Sequence, residues 1–560
     1  MHLPLTGAVL VTLLSLGCED ADKPLAATDD RYVEILVDLG IANRDTARNV
    51  RSAEARQRKA EAEERQVAFF HDPEVQARIE AVRAKPPTPM EAAKVEGYWR
   101  HMITARPWTE AEKAEEVRLL GRLEEQASVT ATWRSPDGSL EVDLGEAWTE
   151  VSRAADKLPQ DARDALLEAY VEQRMQVVGA DLQALVKLRN EVARREGFAN
   201  WWELGLASQG LTPAEVDELL ASLEPIVRPH HAEIAARLQA AASARGLPLT
   251  FANLPMLRRA AGLELGQEEA DTWFDADLAE DRVLTAFRDM GIDTWGWQVY
   301  TEPRRYARPG VYGFPIRPPD HLAIVLSQDR RWSTWQYEAL AHEGGHAAWW
   351  RMLSTIQASS PTLWSPPDPW FEGFAQFFER LVFEPAFTSA YLPELPAELR
   401  DRLAAWRASR AAASLSDAIV QTRVERRLYE APDDLAALTA YAASTRAELT
   451  LEPAAPLTSA GLAYDPALLS SILWAYPAYS QNFMVAAHTQ AWLYEAVAEQ
   501  VGDPVGNPKV GPLLMERIVR ASPDLAFPDR IAALTKQDRH AALSRYLARG
   551  QLPPAPVGAP

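Results

Sequence analysis

The chain has 560 residues, 47% of them hydrophobic, with 58 Lys and Arg against 79 Asp and Glu and a formal net charge of −21. That length exceeds what one core ordinarily organises, so two lobes or subdomains are expected. The acidic balance argues against nucleic-acid partners and a basic membrane-binding patch, and the single cysteine leaves no disulfide framework, so stability must come from packing.

The chain opens on a short apolar run, LTGAVLVTLLSLGC, too short to span a bilayer as a mature helix. It reads as a signal peptide over residues 1–18. Leu14-Ser15-Leu16-Gly17-Cys18 resembles a bacterial lipobox, in which the cysteine is lipidated and becomes the first mature residue; a buried structural cysteine is the other reading. The expected location is the bacterial cell envelope, lipid-anchored on the periplasmic side or surface, otherwise secreted. Residues 19–30 read as a polar tether. From Arg31 to about Gln126 the pattern is helical and charged, broken at Pro86-Pro87-Thr88-Pro89 and Pro107. The run AEARQRKAEAEERQ reads as a solvated helix face. A hairpin is expected around Pro136-Asp137-Gly138, after which helices resume to about Gly246. His230 and His231 are adjacent, point about 100° apart on a helix, and read as surface residues.

Between Gly296 and Leu326, aromatic and β-branched residues split by Pro and Gly give the best strand signal of the chain. A helix follows, starting at Ser333 with Gln336 as a capping box and ending near Ser354 to Pro361. Inside it stands His342-Glu343-Gly344-Gly345-His346. Histidines at i and i+4 share one helix face and can share one metal, and Glu343 is left free for proton transfer. Gly344 and Gly345 each cost about 1 kcal/mol against Ala in a helix interior, which points to close approach by another element. A catalytic zinc needs a third protein ligand. The metzincin pattern is excluded, because Trp349 and Met352 stand where it needs Gly and His. The better source is a second helix opening at Asp368-Pro369 and stopped by Pro385, where Glu372, Gln376 and Glu379 fall on one face. Glu372 reads as the third ligand. Glu379, with Gln376 beside it, reads as the carboxylate that orients a ligand histidine or buffers the charge of the site. The alternative is two amphipathic helices whose His and Glu are solvated or salt-bridged.

Beyond Glu379 the chain is again helical to about Ala454. Asp465-Pro466 opens another helix that meets Pro477, and a long helix runs from Ala478 to Val501 before Gly502 and Pro504. The tail QLPPAPVGAP, residues 551–560, reads as disordered.

HEGGH followed by Glu372, 372 − 346 = 26 positions after His346, in the form E-x-x-x-Q-x-x-E, resembles the gluzincin zinc peptidases. The chain is most similar to the group joining the angiotensin-converting-enzyme family with the thimet oligopeptidase and oligoendopeptidase F family. Trp474-Ala475-Tyr476-Pro477-Ala478-Tyr479 resembles the paired tyrosines of the converting-enzyme branch, and LRNEVARREGFANWWEL at 188–204 resembles the family's Arg-Asn … Gly-Phe … Trp helix pair. The resemblance implies a mainly α, two-lobed helical metallopeptidase fold over residues 31–550. It further implies a deep central channel, a small antiparallel β-sheet before the HEGGH helix, and N-terminal helices serving as a lid. It makes Gly310, Val311, Tyr312, Gly313 and Phe314 the exposed edge to which a substrate backbone adds; a plain structural hairpin is the other reading. It gives Tyr479 the role of oxyanion donor and Tyr476 that of a substrate contact. The family histidine ten positions before that tyrosine is Leu469 here, leaving Tyr464 or His488 to replace it. The implied activity is Zn²⁺-dependent hydrolysis of oligopeptides, with Glu343 handling the water's proton, by a chain expected to be a monomer. The alternatives are a dipeptidyl carboxypeptidase, with Arg304, Arg305, Arg308 or Arg317 holding the substrate's terminal carboxylate, or a surface-anchored peptide-binding lipoprotein with weak turnover.

Overall fold

Mainly helical with two small sheets, the computed structural model describes residues 24–550 apart from 129–130, 136–137, 154–157, 264–270, 304–305, 309, 329–332 and 523–524. The leader, Cys18 and the tail lie outside the described residues. The first helix, α1 (Ala26–Arg48), reaches back into the stretch expected to be a tether. Its Asp29 is not solvated: the carboxylate accepts from Lys94 Nζ at 3.0 Å and from the Tyr98 hydroxyl at 2.8 Å, all three buried. α2 (Ala53–His71), α3 (Pro73–Ala84), α4 (Pro89–Ala105) and α5 (Glu110–Ser128) follow, broken where proline falls. Asp72 and Thr88 accept backbone N–H groups at the starts of α3 and α4, each with Pro in the first turn. β1 (Thr132–Arg134) and β2 (Glu141–Asp143) form the expected antiparallel hairpin, and Gly138 supplies the positive φ of its turn.

α6 (Ala180–Arg195) and α7 (Trp201–Ser208) are locked together by Asn190, whose Oδ1 accepts from Trp201 N at 3.0 Å while its Nδ2 donates to the Tyr429 carbonyl at 2.8 Å. α8 (Pro213–Arg245) ends at Gly246 in the left-handed conformation. His231 on this helix is not a surface residue. It is buried, and its Nε2 lies 2.6 Å from Ser416 Oγ, because the helix carrying Ser416 packs over that face.

After α9 (Ala279–Asp289) come β3 (Trp297–Pro303), β4 (Val311–Arg317) and β5 (His321–Gln328), in spatial order β3-β5-β4. The sheet is mixed, not purely antiparallel: β5 inserts between its two predecessors, running parallel to β3 and antiparallel to β4. β4 is therefore an edge strand. Then follow α10 (Ser333–Met352), α11 (Asp368–Leu381), α12 (Ala397–Glu430), α13 (Leu435–Thr450), α14 (Ser480–Val501) and α15 (Arg539–Ala548). The helix expected to open at Asp465-Pro466 is two short turns, Pro466–Leu469 and Ser471–Ala475, and Tyr476 to Tyr479 form a non-helical turn before α14.

One large apolar cluster joins the sheet to α9, α10 and α11, and a second joins α6, α7 and α8 to α12, α13 and α14. Phe374, Phe377 and Phe378 of α11 are fully buried in the first, each contributing about 1.5–3 kcal/mol of apolar burial. Among the described residues, no helix is long and apolar enough to cross a membrane.

Candidate metal centre

α10 carries His342, Glu343 and His346 into the interface with α11. Its first turn is held from a distance, since Asp271 accepts from the Thr334 N–H at 2.8 Å. The two glycines of the motif answer to close packing. A Cβ on Gly345 would stand 2.7 Å from Ala375 Cα of α11, and one on Gly344 would stand 2.7 Å from the Phe287 ring of α9. Bare backbone lets α10 settle against α11, and that contact sets the ligand geometry.

His342 Nε2 lies 3.3 Å from Glu372 Oε2, His346 Nε2 lies 3.9 Å from Glu372 Oε1, and the three ligand atoms fall within 4.8 Å of one another. A tetrahedral zinc with bonds of about 2.0–2.1 Å separates neighbouring ligand atoms by roughly 3.3 Å, so the His342–Glu372 pair already has the spacing of the ion and the other pairs must draw closer to meet it. His342 Nδ1 donates to Glu379 Oε2 at 2.8 Å, which turns the Nε2 lone pair toward the other ligands. Glu379 is in turn paired with Arg407, and Arg407 and Arg410 both pair with Glu338. Gln376 lines the same cavity of about 430 Å³ as His342, Glu372 and Glu379.

Protonation follows these contacts. Burial pushes His346 down to about 3, so its imidazole is neutral, as a ligand must be. Burial opposes ionisation of Glu372, but the hydrogen bond with His342 and the two histidines outweigh it and bring it down to about 2. Burial likewise works against charge on His342, yet its hydrogen bonds to Glu372 and Glu379 hold it well above the ordinary histidine value.

Glu343 faces the sheet. Its Oε2 accepts the Gly313 N–H of β4 at 2.7 Å, and a Cβ on Gly313 would stand 2.8 Å from the same oxygen, so only glycine admits this approach. Burial, reinforced by Glu372, raises Glu343 to about 7, where a general base for neutral pH belongs. The Ser327 N–H bonds to the Gly310 carbonyl at 2.9 Å, so by strand alternation Gly313 turns its polar groups away from β5, toward Glu343. Further along β4, α1 closes in: a Cβ on Gly40 would stand 2.8 Å from the Pro315 oxygen. The stretch Gly310, Val311, Tyr312, Gly313 and Phe314 thus runs past the motif, with Tyr312 and Phe314 stacked at 6.4 Å.

Tyr479 donates its hydroxyl to Glu372 Oε1 at 2.7 Å. Burial and the Glu372 charge raise its pKa far above the usual phenol value, so it stays a donor. Tyr476 is 51% exposed, its ring 6.3 Å from Tyr479 and its hydroxyl 3.5 Å from Arg308, which packs over the Tyr312 ring at 4.6 Å. Of the four arginines considered for a terminal carboxylate, Arg304 and Arg305 lie outside the described residues, Arg317 ends β4, and Arg308 sits beside Tyr476. Neither candidate for the missing histidine is held toward Tyr479. The Tyr464 hydroxyl meets Tyr170, and His488 packs edge-on against His540.

The sequence reading did not include Arg407, which anchors Glu379 from an Ala- and Arg-rich helix with no motif. It also missed the buried groups around the Tyr479 turn. No family model matches the chain, and no curated protein matches its sequence.

Proposed function

We propose that this chain is a zinc-dependent peptidase of the gluzincin type acting on oligopeptides. The observation that carries the reading is the convergence of His342, His346 and Glu372, with Glu343 outside that set on the Gly313 N–H and the Tyr479 hydroxyl 2.7 Å from Glu372. When bound, a zinc ion supplies Lewis acidity, which acidifies a water and polarises a carbonyl. Glu343 accepts the proton of the attacking water and returns it to the leaving amine. Tyr479 donates to the oxygen that gains charge in the transition state, a contact worth about 3 kcal/mol at other oxyanion sites. The Gly310–Phe314 edge offers backbone groups to an extended peptide, and Tyr476 with Arg308 contacts it from the facing side. In this reading the two large apolar clusters are two lobes and the ligands lie in a deep channel between them, which admits unfolded chains. The leader then anchors a monomer to the bacterial envelope through a lipidated Cys18, tested by mass spectrometry of the membrane-extracted N-terminus.

The direct test is metal analysis together with cleavage of a fluorogenic peptide, with and without chelator. One zinc per chain, lost with His346→Ala, and chelator-sensitive cleavage are expected. Absence of zinc overturns the reading; zinc with no turnover favours the peptide-binding lipoprotein. Release of C-terminal dipeptides alone would identify a dipeptidyl carboxypeptidase.

A further inference from the structure

The turn that delivers Tyr479 rests on an unusual residue. Ala478 is fully buried and has φ +58°, a conformation that L side chains rarely adopt. Nothing in the Ala side chain favours it, so the surroundings must impose it. Three contacts do so. Glu425 of α12 accepts the Ala478 N–H at 2.5 Å. Gln209, just past α7, donates to the Ala478 carbonyl at 2.7 Å, and Gln481 bonds the same carbonyl and also Gln209. Gly205 of α7 leaves the room that the Ala478 methyl needs: a Cβ there would stand 2.5 Å from Ala478 Cβ. Both polar groups of the Ala478 backbone are therefore held from opposite sides, one residue before the phenol that touches Glu372.

We propose that Glu425, working with Gly205, is a positioning residue that clamps the Ala478 turn and so holds the Tyr479 hydroxyl at the metal ligands. The inference builds on the peptidase reading but concerns a geometry that can be read without it. Glu425 is a buried acid that bonds the Ala478 backbone and the backbone and side chain of Ser480, with no part in ligation, and its chain position, 46 residues past Glu379 (425 − 379), carries no motif. Truncating it frees the Ala478 N–H in a buried place, and the turn relaxes toward ordinary backbone conformations.

The test uses full-length zinc-loaded protein with 3-fluorotyrosine placed at position 479, in wild type and in Glu425→Gln, Glu425→Ala and Gly205→Ala. The ¹⁹F resonance reports the phenol's surroundings whether or not peptide is cleaved. Glu425→Gln keeps an acceptor and should leave the resonance at the wild-type shift. Glu425→Ala and Gly205→Ala should move or broaden it, with zinc content unchanged. In unlabelled protein, Glu425→Ala should lower kcat by about the 10²-fold expected for loss of an oxyanion donor, with KM within about twofold. The same substitution made on Tyr479→Phe should lower kcat no further. A wild-type resonance in both Glu425→Ala and Gly205→Ala, or losses that multiply on the Tyr479→Phe background, overturns the clamp. A resonance that moves in a protein cleaving no peptide upholds the clamp and discards the peptidase reading. Should Glu425→Ala not fold, Gly205→Ala decides alone.

Discussion

At the scale of single residues, the proposed peptidase site would separate groups that bind from groups that act. Glu343 touches neither histidine nor Glu372 as a ligand, so Glu343→Gln should retain zinc and peptide while kcat falls by several orders of magnitude, checked by metal analysis and steady-state kinetics. Its raised value of about 7 also sets a pH response. A general base works ionised, so under the peptidase reading activity should fall as pH drops through its pKa; zinc, being positive, would lower that pKa, and the acid limb should lie below pH 7. Glu425 is the opposite kind of carboxylate. Burial raises it from 4.5 to about 8. A folded value above the unfolded one means that its contribution to stability is complete below pH 4.5 and is lost as pH climbs through about 8, at up to roughly 1.4 kcal/mol per pH unit. Glu425→Gln removes this titration. Urea unfolding at pH 5 and pH 8.5 should therefore show the variant gaining on wild type at the higher pH, and a difference that does not change with pH would contradict the assignment.

At the scale of elements, the contact between α10 and α11 decides whether the ligands meet. Gly345→Ala gains about 1 kcal/mol in helix propensity, but its methyl would stand 2.7 Å from the Ala375 backbone, which cannot swing aside. Overpacking of this kind costs about 1–3 kcal/mol. The substitution should lower the melting temperature and weaken zinc binding together, since moving α11 carries Glu372 from the histidines. Gly344→Ala meets side chains rather than backbone, the Phe287 ring at 2.7 Å and the Trp297 ring at 3.5 Å, and should cost less. This is also where the sequence was most informative. HExxH spacing, two mid-helix glycines and the Glu372/Gln376/Glu379 face are local patterns, and local periodicity survives folding unchanged. Register between distant segments does not appear in such patterns. The insertion of β5 between β3 and β4, the burial of His231 against Ser416 and the start of α1 at Ala26 all depend on partners far along the chain. The same holds for Glu425, which lies in a helix that the sequence marks only as rich in Ala and Arg.

At the scale of the whole molecule, α5 is tied to the segment leading to Tyr479 by one buried cation. Arg189 is 2% exposed; its Nε pairs with Glu116 of α5 at 2.8 Å, and its Nη1 donates to the Trp474 carbonyl at 2.8 Å and approaches the Tyr429 hydroxyl of α12 at 3.3 Å. One guanidinium thus joins α5, α6, α12 and the segment leading to Tyr479. A buried ion pair adds little net stability over an apolar replacement, but removing one partner strands the other charge. Glu116→Leu should therefore cost about 3–5 kcal/mol, whereas Glu116→Leu with Arg189→Met should recover much of that loss. The pH dependence has a fixed sign. Burial opposes ionisation of Glu116, yet Arg189 and Lys113 outweigh it and hold the carboxylate below its ordinary 4.5. A lowered folded value means that the stability is present above pH 4.5 and is lost as pH falls through the folded pKa, and the single variant should show none of this loss. A double-mutant cycle by urea unfolding at pH 7 and pH 3.5 measures both effects. Additive single and double losses at pH 7 would show that Arg189 and Glu116 do not depend on each other, and the tie to the turn would then rest on the other contacts there, among them those of Glu425 and Gln209 with Ala478.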